Sequence, residues 1–316
     1  MAKESASQDF TGTPPAASSD ASAVVRLVCG GTIISFSAVF VKLAPIAPGI
    51  SAFYRVAFGA FFLLLWTLYK RPQLLTTPRN AALILLAGLF FAVDLYAWHH
   101  SILYIGPGLA TIVTNFQVFI LAALGVLFFH ERVTMRMMAA APMSVFGLAL
   151  ALGIQWQPLP RADYFGIAWG LTAAVAYAGF TIMLRTTQRL PAAAPAWVNL
   201  FSATTFTALL LGALGLVQGR SFAITDMQTL LALIGLGLLC QVIGWVVITG
   251  ALNRVQPSIV GLALLLQPTL AFVWDILFFG RTVTPINLLG AALAIGGIYF
   301  GSAPSGRHID HRRRRA

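Results

Sequence analysis

Charge is what this 316-residue sequence has least of: Asp, Glu, Lys and Arg make up only 9% of it, against about 25% in soluble domains, while 59% is hydrophobic. A water-soluble core cannot absorb that apolar excess, so a soluble enzyme or nucleic-acid binder is excluded, and the net charge of +11 needs another explanation. Period-two alternation is missing too, which sets aside a membrane β-barrel. There are only two cysteines, Cys29 and Cys240, both inside apolar runs, so neither a disulfide framework nor a thiolate metal site is expected. No hydrophilic stretch is long enough for a nucleotide-binding domain, and no G-x-x-x-x-G-K-[ST] loop occurs, which argues against ATP-driven transport by this chain alone. Nor does any Ser/His/Asp or His/Glu pattern suggest hydrolysis. No enzyme activity, cofactor or metal is expected.

What the sequence has is a series of apolar runs, each near the roughly 20 residues that cross the hydrocarbon as a helix. They fall at 24–44, 50–69, 80–103, 109–129 and 135–154, then at 163–185, 195–217, 228–252, 258–279 and 285–302. The expected fold is all-α, a polytopic membrane protein of ten transmembrane helices. Residues 1–23, rich in Ser, Ala, Thr and Pro, read as a disordered tail, and 303–316 as a basic one. The first apolar run is long enough to span and has no small-residue cleavage site, so it is not read as a signal peptide.

The basic residues set the expected orientation. With the N-terminus inside, fifteen lie on the cytoplasmic side, and only Lys42, Arg55, Arg161, Arg220 and Arg281 lie outside. That bias places both termini on the cytoplasmic side of the membrane, with the Arg312 to Arg315 run near anionic lipid.

The halves 24–154 and 163–302 repeat each other. Leu127-Phe128-Phe129-His130-Glu131-Arg132-Val133-Thr134 aligns at an offset of 150 with Leu277-Phe278-Phe279-Gly280-Arg281-Thr282-Val283-Thr284. Pro107 and Gln117 match Pro257 and Gln267 at the same offset. Five spans per half make the repeat inverted, an architecture whose substrate site lies near the midplane, at the repeat interface.

Polar groups in hydrocarbon are costly and should face the bundle interior. In span three, Asp94, Trp98 and Ser101 share a face. Asp94 reads as a proton- or amine-binding group, or else as a neutral or paired buried carboxyl. His99 and His100 lie near the outer end and point about 100° apart, so they cannot both face one site squarely; an interfacial role and a proton relay both remain open. Span four offers Asn115 and Gln117, span eight the stripe Gln241, Trp245 and Thr249, and span nine Gln267 beside the kinking Pro268. These amides either line a cavity or bond neighbouring helices. Trp169 and Tyr177 on span six, with Trp98 and Trp245, offer aromatic walls for an apolar or aromatic solute, or simply pack.

These features resemble the drug/metabolite transporter superfamily in its duplicated, ten-helix EamA-type branch. The resemblance covers 24–302 and rests on Pro48 to Arg55, Ala97 to Ala110, Leu266-Gln267-Pro268-Thr269 and Phe129 to Thr134. Val118 stands where the first half should have a proline, and Arg281 where the second should have a glutamate. Within the superfamily the Asp94 to His100 segment and the aromatic spans are similar to the YddG-type exporters. That likeness implies helices around a central cavity and alternating-access export of aromatic amino acids and related metabolites. The partners it implies are a small-molecule substrate, lipid and protons, with a monomer sufficient. Efflux of cationic drugs is the alternative, disfavoured by the lack of an acid in span one; a membrane enzyme or receptor is the third reading.

Overall fold

The structure, a computed structural model, describes residues 20–72, 77–131, 133–153, 163–190, 194–224 and 226–302, the last residue and 106–109 by backbone only. Most of the two expected tails, Arg132, Arg161 and the Pro107 side chain lie outside the described residues. Every regular element among those described is helical. Nine helices are long and apolar enough to cross a bilayer: Ala21–Leu43, Pro48–Lys70, Pro78–Ile105, Ala110–Phe129, Met135–Leu152, Asp163–Thr187, Ala196–Val217, Met227–Thr249 and Pro257–Phe279. A shorter apolar helix, Pro285–Gly301, follows. They are spans one to ten in chain order.

Local chemistry sets their ends. Pro48, Pro78, Pro257 and Pro285 open four of them, at positions where a missing N–H costs nothing. Thr77, Thr134 and Asp226 cap spans three, five and eight with side-chain oxygens. Span one starts at Ala21 rather than 24, because Asp20 accepts a bond from the Ser22 N–H and so caps it. Large apolar side chains such as Leu103, Leu127, Phe128 and Leu209 stand exposed on the outside of the bundle, as lipid-facing residues should.

Helical hydrogen bonding continues from Pro78 to Thr114, across the boundary between spans three and four. The path nevertheless reverses there. A Cβ on Gly170 would touch both Ser101 and Val113, which on one straight helix would lie about 18 Å apart. Span four then breaks after Thr114 and resumes at Gln117; span nine breaks after Leu264 and resumes at Leu266. These breaks coincide at the 150-residue offset, although Pro268 has only Val118 as its counterpart. The kink is therefore a property of the position and does not require the proline ring.

The closest helix contact is between spans five and ten. A Cβ on Gly147 would stand 2.7 Å from the Gly290 carbonyl oxygen, and one on Gly297 3.1 Å from that of Ala140. Adding 150 to 147 and subtracting it from 290 turns the first pair into the second. Contacts that exchange in this way are what a pseudo-two-fold axis between the halves produces. Gly290→Ala should therefore lower the thermal midpoint of the detergent-solubilised protein, at a cost of about 1–3 kcal/mol for overpacking. Gly296→Ala, with nothing within 4 Å of its Cβ, should not. Equal midpoints for the two variants would mean that these spans do not pack backbone to backbone.

The face that carries both described chain ends is closed by polar contacts across the repeat. Glu131, buried after span four, accepts hydrogen bonds from the Ser258 hydroxyl and, at 3.4 Å, from its N–H, so that it caps span nine. Arg185, buried in the last turn of span six, donates to the Leu252 and Val255 carbonyls that follow span eight. Its guanidinium also lies over the Phe129 ring, at 5.0 Å.

Burial outweighs the Ser258 bonds and the Arg185 charge and raises the Glu131 pKa above its ordinary value of 4.5. The folded state then holds this proton more tightly than the unfolded chain does. Its contribution to stability is full below the ordinary value and is lost as pH rises through the raised one. The thermal midpoint of the wild type should fall across that window, and Glu131→Gln should flatten the fall. An equally steep profile in Glu131→Gln would assign the titration to another group.

Candidate functional site

The polar residues at mid-depth come together from both halves. Arg55 lies about 10 Å along span two from its first residue, at 1.5 Å per residue, and its Nε donates to Gln241 Oε1 on span eight at 3.1 Å. Gln241 Nε2 in turn donates to Thr204 Oγ1 on span seven at 3.2 Å. Two local features make room for this chain of bonds. Gln241 sits in a π-helical segment, Leu236–Gly244, a wider winding that often marks functional sites in helices. Gly59 faces it with no side chain, where a Cβ would come within 2.5 Å of Gln241 Cγ.

Beside this chain lies an aromatic cluster. Trp245, 1% exposed, packs its ring against Phe180 at 4.8 Å, Tyr177 at 5.8 Å and Phe91 at 6.1 Å between centroids. Its indole N–H is buried without an acceptor. Gln267 Nε2 reaches the Tyr177 hydroxyl at 3.5 Å, the outer limit of a hydrogen bond, so this contact holds the amide only loosely. Asp94 is 5% exposed, and among the described residues no group donates a hydrogen bond to it and no cation pairs with it directly.

A second layer lies toward the opposite, or far, face. Trp169 meets His100 at 5.1 Å and Tyr96 at 6.0 Å, and Trp98 packs edge-on to His99. A cavity of about 160 Å³ opens there, lined among others by Ala52, Leu95, Tyr96, His99, His100 and Gln218. Its deepest lining residues lie next to Asp94 on span three and within one turn of Arg55 on span two. Both histidines are among the residues that line it, which does not require both rings to face it squarely.

The expected site residues thus divide by depth. Asp94, Tyr177, Gln241, Trp245 and Gln267 form the central cluster, while Trp98, His99, His100 and Trp169 form the far-face layer. Asn115 and Gln117 flank the break in span four. Asn115 donates one amide N–H to the Thr111 carbonyl at 2.7 Å, which leaves its second N–H and its oxygen for other partners. Gln117 is buried with its Oε1 unpartnered. Ser101, expected on the Asp94 face, donates instead to the Gly166 carbonyl on span six. Arg55, counted from the sequence among the charges of the outer side and within the expected span 50–69, lies inside span two and bonds into the cluster, which the sequence reading did not expect. Its seven-residue distance from Pro48 was the available signal. Among the described residues no three His, Cys, Asp or Glu side chains converge to hold a metal ion.

A sequence profile of the EamA-like transporter family matches the chain twice, over residues 21–153 and 164–302. The chain belongs to this family. The double match reproduces the internal repeat, and the nine long apolar helices with a shorter tenth make this EamA-like protein a multi-pass membrane protein. It is 27% identical over 259 residues to a protein of Salmonella typhimurium (strain LT2) named "Probable amino-acid metabolite efflux pump", covering 78% of this chain and 82% of that one. A solved crystal structure, 17% identical, superposes with a TM-score of 0.77 over 94% of this chain and all of its own. That likeness concerns the fold alone.

The Gln241 bonds are the most complete in the site, so truncation there should be felt locally. Gln241→Ala leaves Arg55 without its hydrogen-bond partner and should lower the thermal midpoint, with a loss of about 1–3 kcal/mol for the orphaned group. An unchanged midpoint would mean that Arg55 is already satisfied by water.

Proposed function

We propose that this EamA-like transporter is a secondary exporter of amino acids, aromatic or otherwise hydrophobic, and of related small metabolites. It would work by alternating access in a bacterial inner membrane, with both termini cytoplasmic. One observation carries the reading: residues from spans two, three, six, seven, eight and nine converge in a buried cluster that leaves polar atoms unmatched. Buried polar groups that serve only as interhelical glue are normally paired. Here the Trp245 N–H and the Asp94 carboxyl instead await partners, beside aromatic rings suited to an apolar side chain.

The two ends of the molecule support the alternating-access part. The chain-end face is shut by Glu131 on Ser258 and by Arg185 on the carbonyls after span eight, while a cavity opens at the far face. This is the arrangement of an outward-open state if the chain ends are cytoplasmic. Asp94 would bind the substrate ammonium or a coupling proton, with His99 and His100 in the exit layer as further proton carriers. The name of the Salmonella relative points to the same substrate class.

Counterflow of labelled amino acids in proteoliposomes tests the reading directly. The wild type should exchange hydrophobic amino acids without ATP, and Asp94→Asn should lose most of that exchange while still eluting as folded protein. Gln267→Ala should weaken substrate binding at least tenfold, since a hydrogen bond to a charged group is worth about 1.5–3 kcal/mol. No exchange of any amino acid by the wild type, alongside efflux of cationic dyes, would replace this reading with drug efflux.

A further inference from the structure

We propose that Arg55 is the substrate's carboxylate receptor, and that Arg55 and Asp94 together select an α-amino acid zwitterion. The inference rests on the exporter reading for its substrate class but draws on different atoms. A guanidinium offers five N–H donors in a planar fork suited to a carboxylate. Arg55 is only partly buried, and the one hydrogen bond its side chain makes to a described residue is to the neutral Gln241. An ionisable side chain this far inside a span is expensive to keep without use. Surface salt bridges occupy other arginines: Arg254 pairs with Asp20, and Arg281 with Asp275. Arg55 forms no such pair.

The surroundings favour an anion on the way through. Gln241, fixed from behind by Thr204 and given room by Gly59, accepts from Nε and so leaves the two terminal nitrogens of the fork free to turn toward a ligand. Ala52, one turn above Arg55, lines the far-face cavity, and so does Leu95, the neighbour of Asp94. The cation and the carboxyl therefore lie under the floor of the same opening. Among the described residues no ion pair joins them, and a solute with opposite charges at its two ends would satisfy both. A carboxylate would meet the Arg55 fork while the ammonium met Asp94, leaving the side chain for the ring faces of Tyr177 and the far-face aromatics.

Binding to the purified full-length protein, read by its intrinsic tryptophan fluorescence, tests this apart from transport. Hydrophobic amino acids would each be titrated beside the matching amide, which keeps the ammonium and side chain but lacks the carboxylate. The wild type should bind each amide at least tenfold more weakly than its acid. Arg55→Gln should weaken the acids at least tenfold, to the level of the amides, and leave the amides unchanged; Arg55→Lys, which keeps the charge but not the fork, should fall between. Equal wild-type affinity for acid and amide, or binding of neither, overturns the proposal without any variant having to fold, as does a folded Arg55→Gln protein with wild-type affinity for acids. Discrimination of acid from amide in detergent with no counterflow in vesicles would sustain the role of Arg55 and overturn the exporter reading instead.

Discussion

A backbone in hydrocarbon must satisfy its own hydrogen bonds, and each place where this chain departs from a regular α-helix is a place where something else meets that demand. Span nine breaks at Leu265, whose carbonyl accepts from the Thr269 hydroxyl at 2.8 Å as well as, at 3.4 Å, from the Thr269 N–H. Span four stops at Asn115, whose amide turns back onto Thr111. Span eight widens into a π-helix and spends the change of winding on presenting Gln241 to Arg55. The candidate site draws on the residues at these departures, Asn115, Gln241 and Gln267 among them.

The two halves follow one plan but close their ends differently. At the end of span four, Glu131 reaches across the repeat to the start of span nine. At the corresponding end of span nine, Arg281 turns to Asp275 and to the Leu152 carbonyl, and Lys42 joins the same carboxylate from span one. Opposite charges at equivalent positions thus give a buried, cross-repeat cap on one face and a half-exposed ion cluster on the other. Partly exposed ion pairs hold weakly, about 0–1 kcal/mol each, so the far face is the one more easily opened. The cavity lies there.

Much of this was legible in the chain itself. Apolar runs of bilayer length, the 150-residue repeat and the proline and threonine helix starts all depend on local composition and spacing, and the spans came out within a few residues of where these place them. Asp94, Gln241, Trp245 and Gln267 stood out because polar or amphipathic residues in long apolar runs are conspicuous. Arg55 did not, because near a predicted boundary a snorkelling arginine and a site arginine have the same sequence signature.

The sequence by itself determined that this is an EamA-like bundle of helices in a membrane, since hydrophobic length and internal repetition follow from residue order alone. Which helix faces which, and so whether Asn115 serves its own backbone or Arg55 meets Gln241, was decided only by the tertiary structure. The reason is physical: a polar group in hydrocarbon must find a partner, but many helical neighbours could supply one, and only the packing of small residues such as Gly59, Gly147 and Gly290 fixes which neighbour comes close enough.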